Sequence, residues 1–190
     1  MSQPRGRVIL AITGASGAVL GIRVLELLRS TGKEIHLIIS TSARKTIALE
    51  TAWGVENVKA LADICYEPAQ IGAKIASGSF TTEGMLIVPC SIKTLSGIAN
   101  CYSSNLIVRA ADVCLKEGRR LILAVRETPF HAGHLRLMQQ ASEAGAVIFP
   151  PIPAFYTGQK TMDEMVTNLA GRMLLRFGID NDAYEHWNGD

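Results

Sequence analysis

Five short apolar runs, rich in Val and Ile, recur along the chain and alternate with longer amphipathic stretches. Such nearly continuous apolar runs are typical of parallel strands that are covered on both faces. They predict strands at Arg7–Thr13, Glu34–Ser40, Met85–Pro89, Leu121–Val125 and Ala146–Pro150. The stretches between them predict helices at Gly17–Ser30, Ser42–Trp53, Ile92–Asn100, Asn105–Glu117 and His131–Ala144. This alternation predicts a three-layer α/β fold built on a doubly wound parallel sheet.

The end of the chain predicts one more helix, Met162–Phe177. Thr161 and Glu164 form a capping-box pattern before it, and Gly178 gives a stop after it. The preceding loop, PPIPAFYTGQ, contains prolines that hold a chain extended, so we expect its two aromatic side chains to be exposed. In the short tail, Trp187 is expected to dock on its own domain or on a neighbouring subunit.

Composition and charge narrow the class of protein. The 190 residues, 48% hydrophobic and 19% charged, predict one domain that spans residues 1–190. A net charge of +2 without clustered Lys and Arg argues against nucleic acid as a partner. The first apolar run is too short to cross a membrane, and the four cysteines contain no CxxC pair. We therefore expect a cytoplasmic protein with no membrane partner and with reduced, mostly buried thiols.

The segments that directly follow the predicted strands form the candidate site, because ligands of open α/β sheets bind at the carboxyl ends of the strands. These segments are rich in small, hydroxyl-bearing or charged residues. They are Gly14–Gly17, Ser40–Ser42, Cys90–Thr94, Arg126–Phe130 and Pro151–Tyr156.

The first of these segments belongs to the motif ITGASGAVLG, which follows a strand and opens a helix. Its glycines allow the backbone to approach an anion, Ser16 adds a hydroxyl donor, and a helix N-terminus favours negative charge. The spacing is neither GxGxxG nor a P-loop, which favours a monophosphate over a dinucleotide or a nucleoside triphosphate. A tight turn without any ligand is the alternative.

A second motif, VPCSIKTLSGIAN, lies after the third predicted strand. Its Ser91 and Thr94 stand at the start of the next helix, where hydroxyls and free amides would suit the polar edge and the ribityl chain of a flavin. Ser91 could instead serve only as a helix N-cap, which is the commoner role of such a serine.

A third motif, VRETPFHAGH, places two charges on a turn at the same sheet edge. A carboxylate such as Glu127 is suited to proton transfer when it is partly desolvated. A structural ion pair with Arg126 is equally compatible with the spacing. A metal site formed by Glu127, His131 and His134 is a weaker alternative, because His131 also resembles the polar start of a helix.

Three cations lie among apolar residues. Arg109 and Lys116 are seven residues apart in NLIVRAADVCLKE and therefore share one helix face. The two cations could bind a phosphate between them. Alternatively, both side chains are exposed and solvated and bind no ligand. Arg172 lies inside LAGRMLL and needs an anionic partner from the protein or a ligand. The chain has no DDxxD platform for magnesium-diphosphate chemistry and no GxSxG elbow for hydrolysis.

Six segments, in order and closely spaced, resemble the UbiX flavin prenyltransferase family, formerly called aromatic-acid decarboxylase small subunits. They are TGASGA (13–18), ASGSF (76–80), PCSIKTL (89–95), RAADVCLKE (109–117), VRETPFH (125–131) and AFYT (154–157). The resemblance implies a flavodoxin-like or Rossmann-like flavoprotein that forms a dodecamer built from trimers. It implies that reduced FMN and dimethylallyl phosphate bind between subunits, that no metal is needed, and that prenylated FMN is released to a UbiD-type decarboxylase.

The resemblance also implies roles for single residues. FMN would be contacted by Gly14, Ala15, Ser16, Ser40, Ser91, Ile92, Lys93, Thr94 and Arg126. Dimethylallyl phosphate would be held by Arg109, Lys116, Tyr156 and Arg172. Glu127 would be the acid/base group, with Ser16 as a second catalytic residue. The cationic and phenolic donors would stabilise the departing phosphate while the prenyl group joins N5 and then C6 of the flavin.

Two positions depart from the family pattern, and two other functions stay open. Leu20 stands where many relatives have an aromatic residue in the first loop, and Ile71 falls near a Trp that lies beside the prenyl group in some relatives; both bear on pocket shape. A flavin-dependent decarboxylase would need a catalytic His in the first half of the chain, where only His36 lies, inside a predicted strand. A non-catalytic FMN carrier would need the flavin loops but not the acid/base and phosphate-binding residues.

Overall fold

The computed structural model describes residues 5–186, and its centre is one sheet of six parallel strands. In chain order the strands are β1 (Arg7–Ile12), β2 (Glu34–Ile39), β3 (Ile64–Tyr66), β4 (Gly84–Cys90), β5 (Arg120–Val125) and β6 (Val147–Ile148). The helices are α1 (Ala18–Ser30), α2 (Thr41–Glu50), α3 (Val55–Lys59), α4 (Ile92–Ala99), α5 (Leu106–Lys116), α6 (Ala132–Glu143) and α7 (Met162–Phe177). Short 3-10 helices cover Lys74–Ala76 and Phe155–Thr157.

Both faces of the sheet are buried, which accounts for the continuous apolar runs of the sequence. In β1, Val8 and Leu10 pack into the layer that contains α1 and α7. Their neighbours Ile9 and Ala11 pack into the opposite layer, which contains α4, α5 and α6. This is the alternation of a strand whose successive side chains point to opposite faces. The predicted three-layer α/β fold is therefore confirmed.

The sequence prediction missed two short elements, β3 and α3. β3 is a three-residue edge strand that pairs with β2 from Ile64 opposite His36 to Tyr66 opposite Ile38, and so few residues carry no readable periodicity. The last strand is shorter than expected, because the prolines that follow it cannot donate hydrogen bonds to a neighbouring strand.

The end of the chain agrees with its sequence signals. The Thr161 hydroxyl accepts a hydrogen bond from the Glu164 amide at 3.2 Å, and the Glu164 carboxylate accepts one from the Thr161 amide at 3.1 Å. Gly178 ends α7 with a φ of 89°, in the left-handed region that favours glycine. The side chains of Phe155 and Tyr156 are exposed, as expected. Trp187 lies outside the described residues.

The strand order is β3-β2-β1-β4-β5-β6, the Rossmann order, which reverses between β1 and β4. At this point the Thr13 hydroxyl donates to the carbonyl oxygen of Pro89 at 2.7 Å and accepts from the amide of Ser91 at 2.8 Å. The buried threonine thus joins the carboxyl ends of the two central strands. Ligands of doubly wound sheets bind beside such a switch point.

The cysteines only partly follow expectation. Burial raises the pKa of Cys90 and of Cys114 to about 12, so these two thiols stay protonated at neutral pH. Cys65 and Cys101 are exposed, which makes the expectation of mostly buried thiols wrong for half of them. Within residues 5–186, every helix is too short or too polar to cross a membrane.

His36 lies in a closed polar network inside β2 and is fully buried. One ring nitrogen, Nδ1, lies 2.9 Å from the Tyr66 hydroxyl, and the other, Nε2, lies 2.9 Å from the Glu34 carboxylate. Desolvation lowers the pKa of His36, and the hydrogen bond to Glu34 opposes this only in part. Because both nitrogens are engaged and the ring is covered, His36 is a structural residue.

We expect the free energy of unfolding to fall as the pH drops below the ordinary His value of 6.5. The unfolded chain then binds a proton that folded His36 binds only at lower pH, so the slope contributed by this group is at most about 1.4 kcal/mol per pH unit. Urea unfolding from pH 7.5 to 5.5 would measure it. His36→Gln should flatten the slope, whereas the exposed His186→Gln should keep it; equal slopes in both variants would exclude His36 as its source.

Candidate functional site

A cavity of about 570 Å³ lies at the carboxyl ends of the central strands. Five of the residues assigned to FMN from the sequence line it, namely Gly14, Ser40, Ser91, Lys93 and Thr94. Further lining residues, mostly with hydroxyl side chains, include Thr41 and Ser42 of the predicted Ser40–Ser42 segment, and Thr13, Ser104 and Asn105, which the sequence prediction missed. Thr13 follows β1, Thr41 and Ser42 begin α2, and Ser104 and Asn105 precede α5, so the topology brings them together.

Three helix N-termini open into this cavity. Ser40 caps α2 by accepting from the Ala43 amide at 3.0 Å, and Ser91 caps α4 by accepting from the Thr94 amide at 3.4 Å. Asn105 caps α5 by accepting from the amides of Ile107 and Val108. Each N-terminus carries partial positive charge and unpaired amide donors. Together with Lys93, these N-termini favour binding of an anion. The two roles considered for Ser91 are compatible, because it caps α4 and also lines the cavity.

Gly14 keeps one wall of the cavity open. A Cβ at this position would overlap the Cβ of Ser42, so only glycine lets the turn after β1 lie this close to the start of α2. The resulting space is polar, lined by hydroxyls and bordered by helix N-termini. These residues fit a flavin mononucleotide, whose phosphate and ribityl hydroxyls require such donors.

Glu50, at the end of α2, is a site residue that the sequence analysis missed. Its carboxylate accepts hydrogen bonds from the amides of Gly17 and Ala18 at 2.8 and 3.0 Å, and from the Ser16 side chain. Burial opposes ionisation, but these hydrogen bonds outweigh it and hold the pKa of Glu50 below its usual value. The α1 N-terminus is thus occupied by a carboxylate of the chain itself. No sequence signal pairs residues that are 33 positions apart.

The turn after β5 carries Arg126 and Glu127 at the same edge of the sheet. The Arg126 amide donates to the carbonyl oxygen of Cys90 at 3.1 Å, which ties this turn to the end of β4. The charge of Arg126 helps to lower the pKa of Glu50. Glu127 is half-buried, and its carboxylate accepts from the Thr128 amide at 3.0 Å. Arg126 thus lies close enough to the Glu50–Ser16 pair to influence its charge.

The two histidines of VRETPFHAGH do not form a metal site. His131 is the N-cap of α6 and accepts from the Gly133 amide through Nδ1 at 3.0 Å, as its helix-start pattern indicated. Its ring lies against that of His134, with centroids 3.7 Å apart. In the part of the chain from residue 5 to residue 186, no group of three His, Cys, Asp or Glu side chains is arranged to hold a metal ion.

Two of the residues assigned to dimethylallyl phosphate meet on the outside of α7. The hydroxyl of Tyr156 hydrogen-bonds with that of Tyr184, which raises the pKa of Tyr156, and the charge of Arg172 opposes the rise. The guanidinium carbon of Arg172 lies 5.1 Å from the centre of the Tyr184 ring. Tyr184 is therefore a third member of this group, and no motif in the sequence marks it.

Arg109 and Lys116 lie on α5 and form local ion pairs. Seven helical residues separate their Cα atoms by about 10 Å along α5. Arg109 forms an ion pair with Asp112 at 2.8 Å, and Lys116 forms one with Glu117. Neither cation lines the cavity at the carboxyl edge, so one chain does not bring together all the residues that the resemblance assigns to the reaction.

A larger groove, of about 760 Å³, lies at the opposite edge of the sheet and contains Arg119, Arg120 and Arg176. Here α5, α6 and α7 end, so the helix C-termini favour cations. Arg119 donates to the carbonyl oxygens of Gly78 and Phe80, and Arg120 donates to that of Phe177. Because Arg119 and Arg120 already donate to backbone carbonyl oxygens, this groove is a poorer ligand site than the smaller cavity.

The two positions that depart from the family pattern lie away from the cavity. Leu20 is a buried residue of α1, so its expected place in the first loop is wrong; it packs in the core. Ile71 is half-exposed in the loop after β3. Neither side chain lines the carboxyl-edge cavity.

The Rossmann strand order and an anion-favouring cavity at its switch point define an α/β protein of the nucleotide-binding class. Comparison with known proteins narrows this class. A family model described as Flavoprotein matches residues 1–170. The chain is 52% identical over 186 residues to "Flavin prenyltransferase UbiX" of Salmonella typhimurium, covering 96% of this chain and 98% of the relative. The chain belongs to the Flavoprotein family and, within it, to the UbiX flavin prenyltransferases.

Two solved structures are similar over nearly the whole chain. A crystal structure of AnUbiX (PadA1) in complex with FMN and dimethylallyl pyrophosphate has a TM-score of 0.96 and 47% identity, covering 98% of this chain and 99% of that one. A dodecameric FMN-dependent UbiX-like decarboxylase from Escherichia coli O157:H7 has a TM-score of 0.94 and 44% identity, covering 96% and 100%. The expected family and its flavoprotein fold are therefore confirmed.

Proposed function

We propose that this protein is a flavin prenyltransferase that joins the dimethylallyl group of dimethylallyl phosphate to N5 and C6 of reduced FMN. The strongest support for this proposal is the crystal structure of a relative that is 47% identical over nearly the full chain. That relative was crystallised with FMN and with dimethylallyl pyrophosphate, which contains the same dimethylallyl group. The hydroxyl-lined cavity with three helix N-termini supports the flavin half of the proposal in this chain. Bound reduced FMN supplies the electron-rich ring atoms that receive the prenyl group.

The proposed FMN contacts come from the turns at the carboxyl edge. The N-caps Ser40 and Ser91 and the side chains of Lys93 and Thr94 line the cavity and can hold the phosphate and the ribityl chain. Gly14 keeps the wall open, with Ala15 and Ser16 continuing the same turn, and Ile92 lies directly after the Ser91 cap. Arg126, directly after β5, is proposed to contact FMN from the turn that its amide ties to Cys90.

The phosphate group of dimethylallyl phosphate is proposed to be bound by Arg172, Tyr156, Arg109 and Lys116. Guanidinium and ammonium groups stabilise the charge that develops on a departing phosphate, and a phenol can donate a further hydrogen bond. Glu127 is proposed to deliver a proton to the phosphate oxygen or to remove one from the ring carbon. Ser16, hydrogen-bonded to Glu50, is proposed to assist that proton transfer.

One reaction site is proposed to combine residues from different copies of the chain. This proposal is supported by the lining of the carboxyl-edge cavity within one copy, which includes neither Tyr156 and Arg172 nor Arg109 and Lys116. A dodecamer like that of the Escherichia coli O157:H7 relative would provide such junctions. The whole chain, 1–190, is proposed to act as one FMN-binding domain in the cytoplasm, serving a UbiD-type decarboxylase.

Mixing two defective variants tests the shared site. Glu127→Gln lacks the proposed acid/base group, and Arg172→Ala is slow at dimethylallyl phosphate concentrations far below its raised dissociation constant. Under those conditions the co-expressed variants should regain activity, because about a quarter of the junctions would then pair an intact Glu127 with an intact Arg172. Activity would be measured as conversion of reduced FMN under anaerobic conditions. As a control, separately assembled variants are combined only after purification. Co-expressed variants no more active than that control would contradict a site shared between copies.

A further inference from the structure

The chain after α7 folds back across this helix at Gly171. The Asn181 side chain donates to the carbonyl oxygen of Gly171 at 3.0 Å, and its own carbonyl oxygen accepts from the Ala183 amide at 3.0 Å. A Cβ at Gly171 would lie 2.7 Å from both the carbonyl carbon of Ala183 and the amide of Tyr184. Such distances essentially never occur in proteins, so the absence of a side chain is what allows the crossing.

The crossing places Tyr184 against Arg172, the residue that follows Gly171. The guanidinium carbon of Arg172 lies 5.1 Å from the centre of the Tyr184 ring, within the range of a cation–π interaction. The Tyr184 hydroxyl meets that of Tyr156, which comes from the loop before α7. The ring of His186 packs edge-on against Tyr184 at 5.1 Å. Tyr184, which is half-buried, therefore contacts both Arg172 and Tyr156.

These contacts matter because Arg172 and Tyr156 are otherwise exposed on the surface of the chain. A long arginine side chain in water samples many rotamers, and ordering it lowers the free energy gained on binding an anion. A ring stacked on the guanidinium fixes its plane and leaves its N–H donors free for a phosphate. A hydrogen bond to the phenol fixes Tyr156 in the same way.

We propose that Tyr184 is a positioning residue for the allylic substrate, whose ring orients Arg172 and whose hydroxyl orients Tyr156 toward the phosphate group. The inference rests on the proposed function, in which these two residues bind that phosphate. Tyr184 itself need not touch the substrate. It sets the affinity for a small phosphate monoester and leaves the flavin site unchanged.

The test compares three variants of the full-length protein with FMN bound. Tyr184→Leu removes ring and hydroxyl, and should raise the KM for dimethylallyl phosphate about tenfold, with kcat at saturation within about twofold and FMN affinity unchanged. Tyr184→Phe keeps the ring and should restore most of that affinity. Glu185→Ala, an exposed neighbour in the same tail, is the matched control and should behave as the unaltered protein.

The Arg172→Ala variant distinguishes the positioning role of Tyr184 from the proposed function. If it weakens dimethylallyl phosphate binding while Tyr184→Leu does not, the positioning role is overturned and the proposed function stands. If Arg172→Ala binds the substrate normally, the phosphate assignment itself fails, and the role of Tyr184 fails with it. If Tyr184→Phe loses FMN affinity together with Tyr184→Leu, the tyrosine has a general structural role and the inference is wrong.

Discussion

Replacing Glu127 with Gln is expected to slow prenyl transfer by about 100- to 10,000-fold, the range typical for loss of a positioned acid/base group. Glutamine keeps the size of the side chain and can still accept from the Thr128 amide, which now lies 3.0 Å from the carboxylate. FMN affinity should therefore stay close to that of the unaltered protein. Single-turnover kinetics with reduced FMN under anaerobic conditions would measure the rate, and a flavin titration would measure the affinity.

The matched control for this prediction is Glu143→Gln. Glu143 ends α6 and accepts a hydrogen bond from Gln139 at 2.9 Å, so the same substitution is made on an exposed glutamate outside the proposed site. It should leave the rate unchanged. Turnover by Glu127→Gln at the rate of this control would remove Glu127 from the chemistry, whatever its effect on binding.

Replacing Arg172 with Ala is expected to weaken dimethylallyl phosphate binding about 30-fold, which corresponds to roughly 2 kcal/mol for a charge-assisted hydrogen bond to phosphate. The side chain is exposed and stacked on Tyr184 rather than buried in the core, so the variant should fold normally. Titration of the FMN-loaded protein with dimethylallyl phosphate, followed through the flavin spectrum, would measure the affinity.

Arg176→Ala controls for the loss of one positive charge from the same helix. Arg176 is exposed in the last turn of α7 and lines the groove at the opposite edge of the sheet. It should bind dimethylallyl phosphate normally. Equal weakening in both variants would indicate a general effect of net charge rather than a contact made by Arg172.

Most of the fold was predictable because the sheet is covered on both faces. Burial on both sides makes β1 apolar from Val8 to Ile12 and β4 apolar from Met85 to Cys90, and such runs can be recognised locally. The capping box of Thr161 and Glu164 fixed the start of α7 in the same local way. β3 could not be predicted because it has only three residues and lies at the edge of the sheet. None of its residues is fully buried, so it has no continuous apolar run.

The site was predictable as far as topology alone determines it. Ser40 and Ser91 are 51 positions apart, yet both follow parallel strands, so the rule that strand ends meet at one edge brings them into one cavity. Glu50 and Tyr184 follow no such rule. Glu50 reaches the start of α1 only because of how α2 lies across it, and Tyr184 reaches Arg172 only because the chain crosses α7 at Gly171. Contacts of this kind are set by tertiary packing.

The mass of the flavin product shows whether the protein transfers a prenyl group to FMN. The protein would be incubated without oxygen with reduced FMN and dimethylallyl phosphate, and the released flavin analysed by mass spectrometry. The proposed function predicts FMN that is heavier by one dimethylallyl unit, with release of inorganic phosphate and no added metal. Recovery of unmodified FMN alone, from protein shown to bind both compounds, would contradict it.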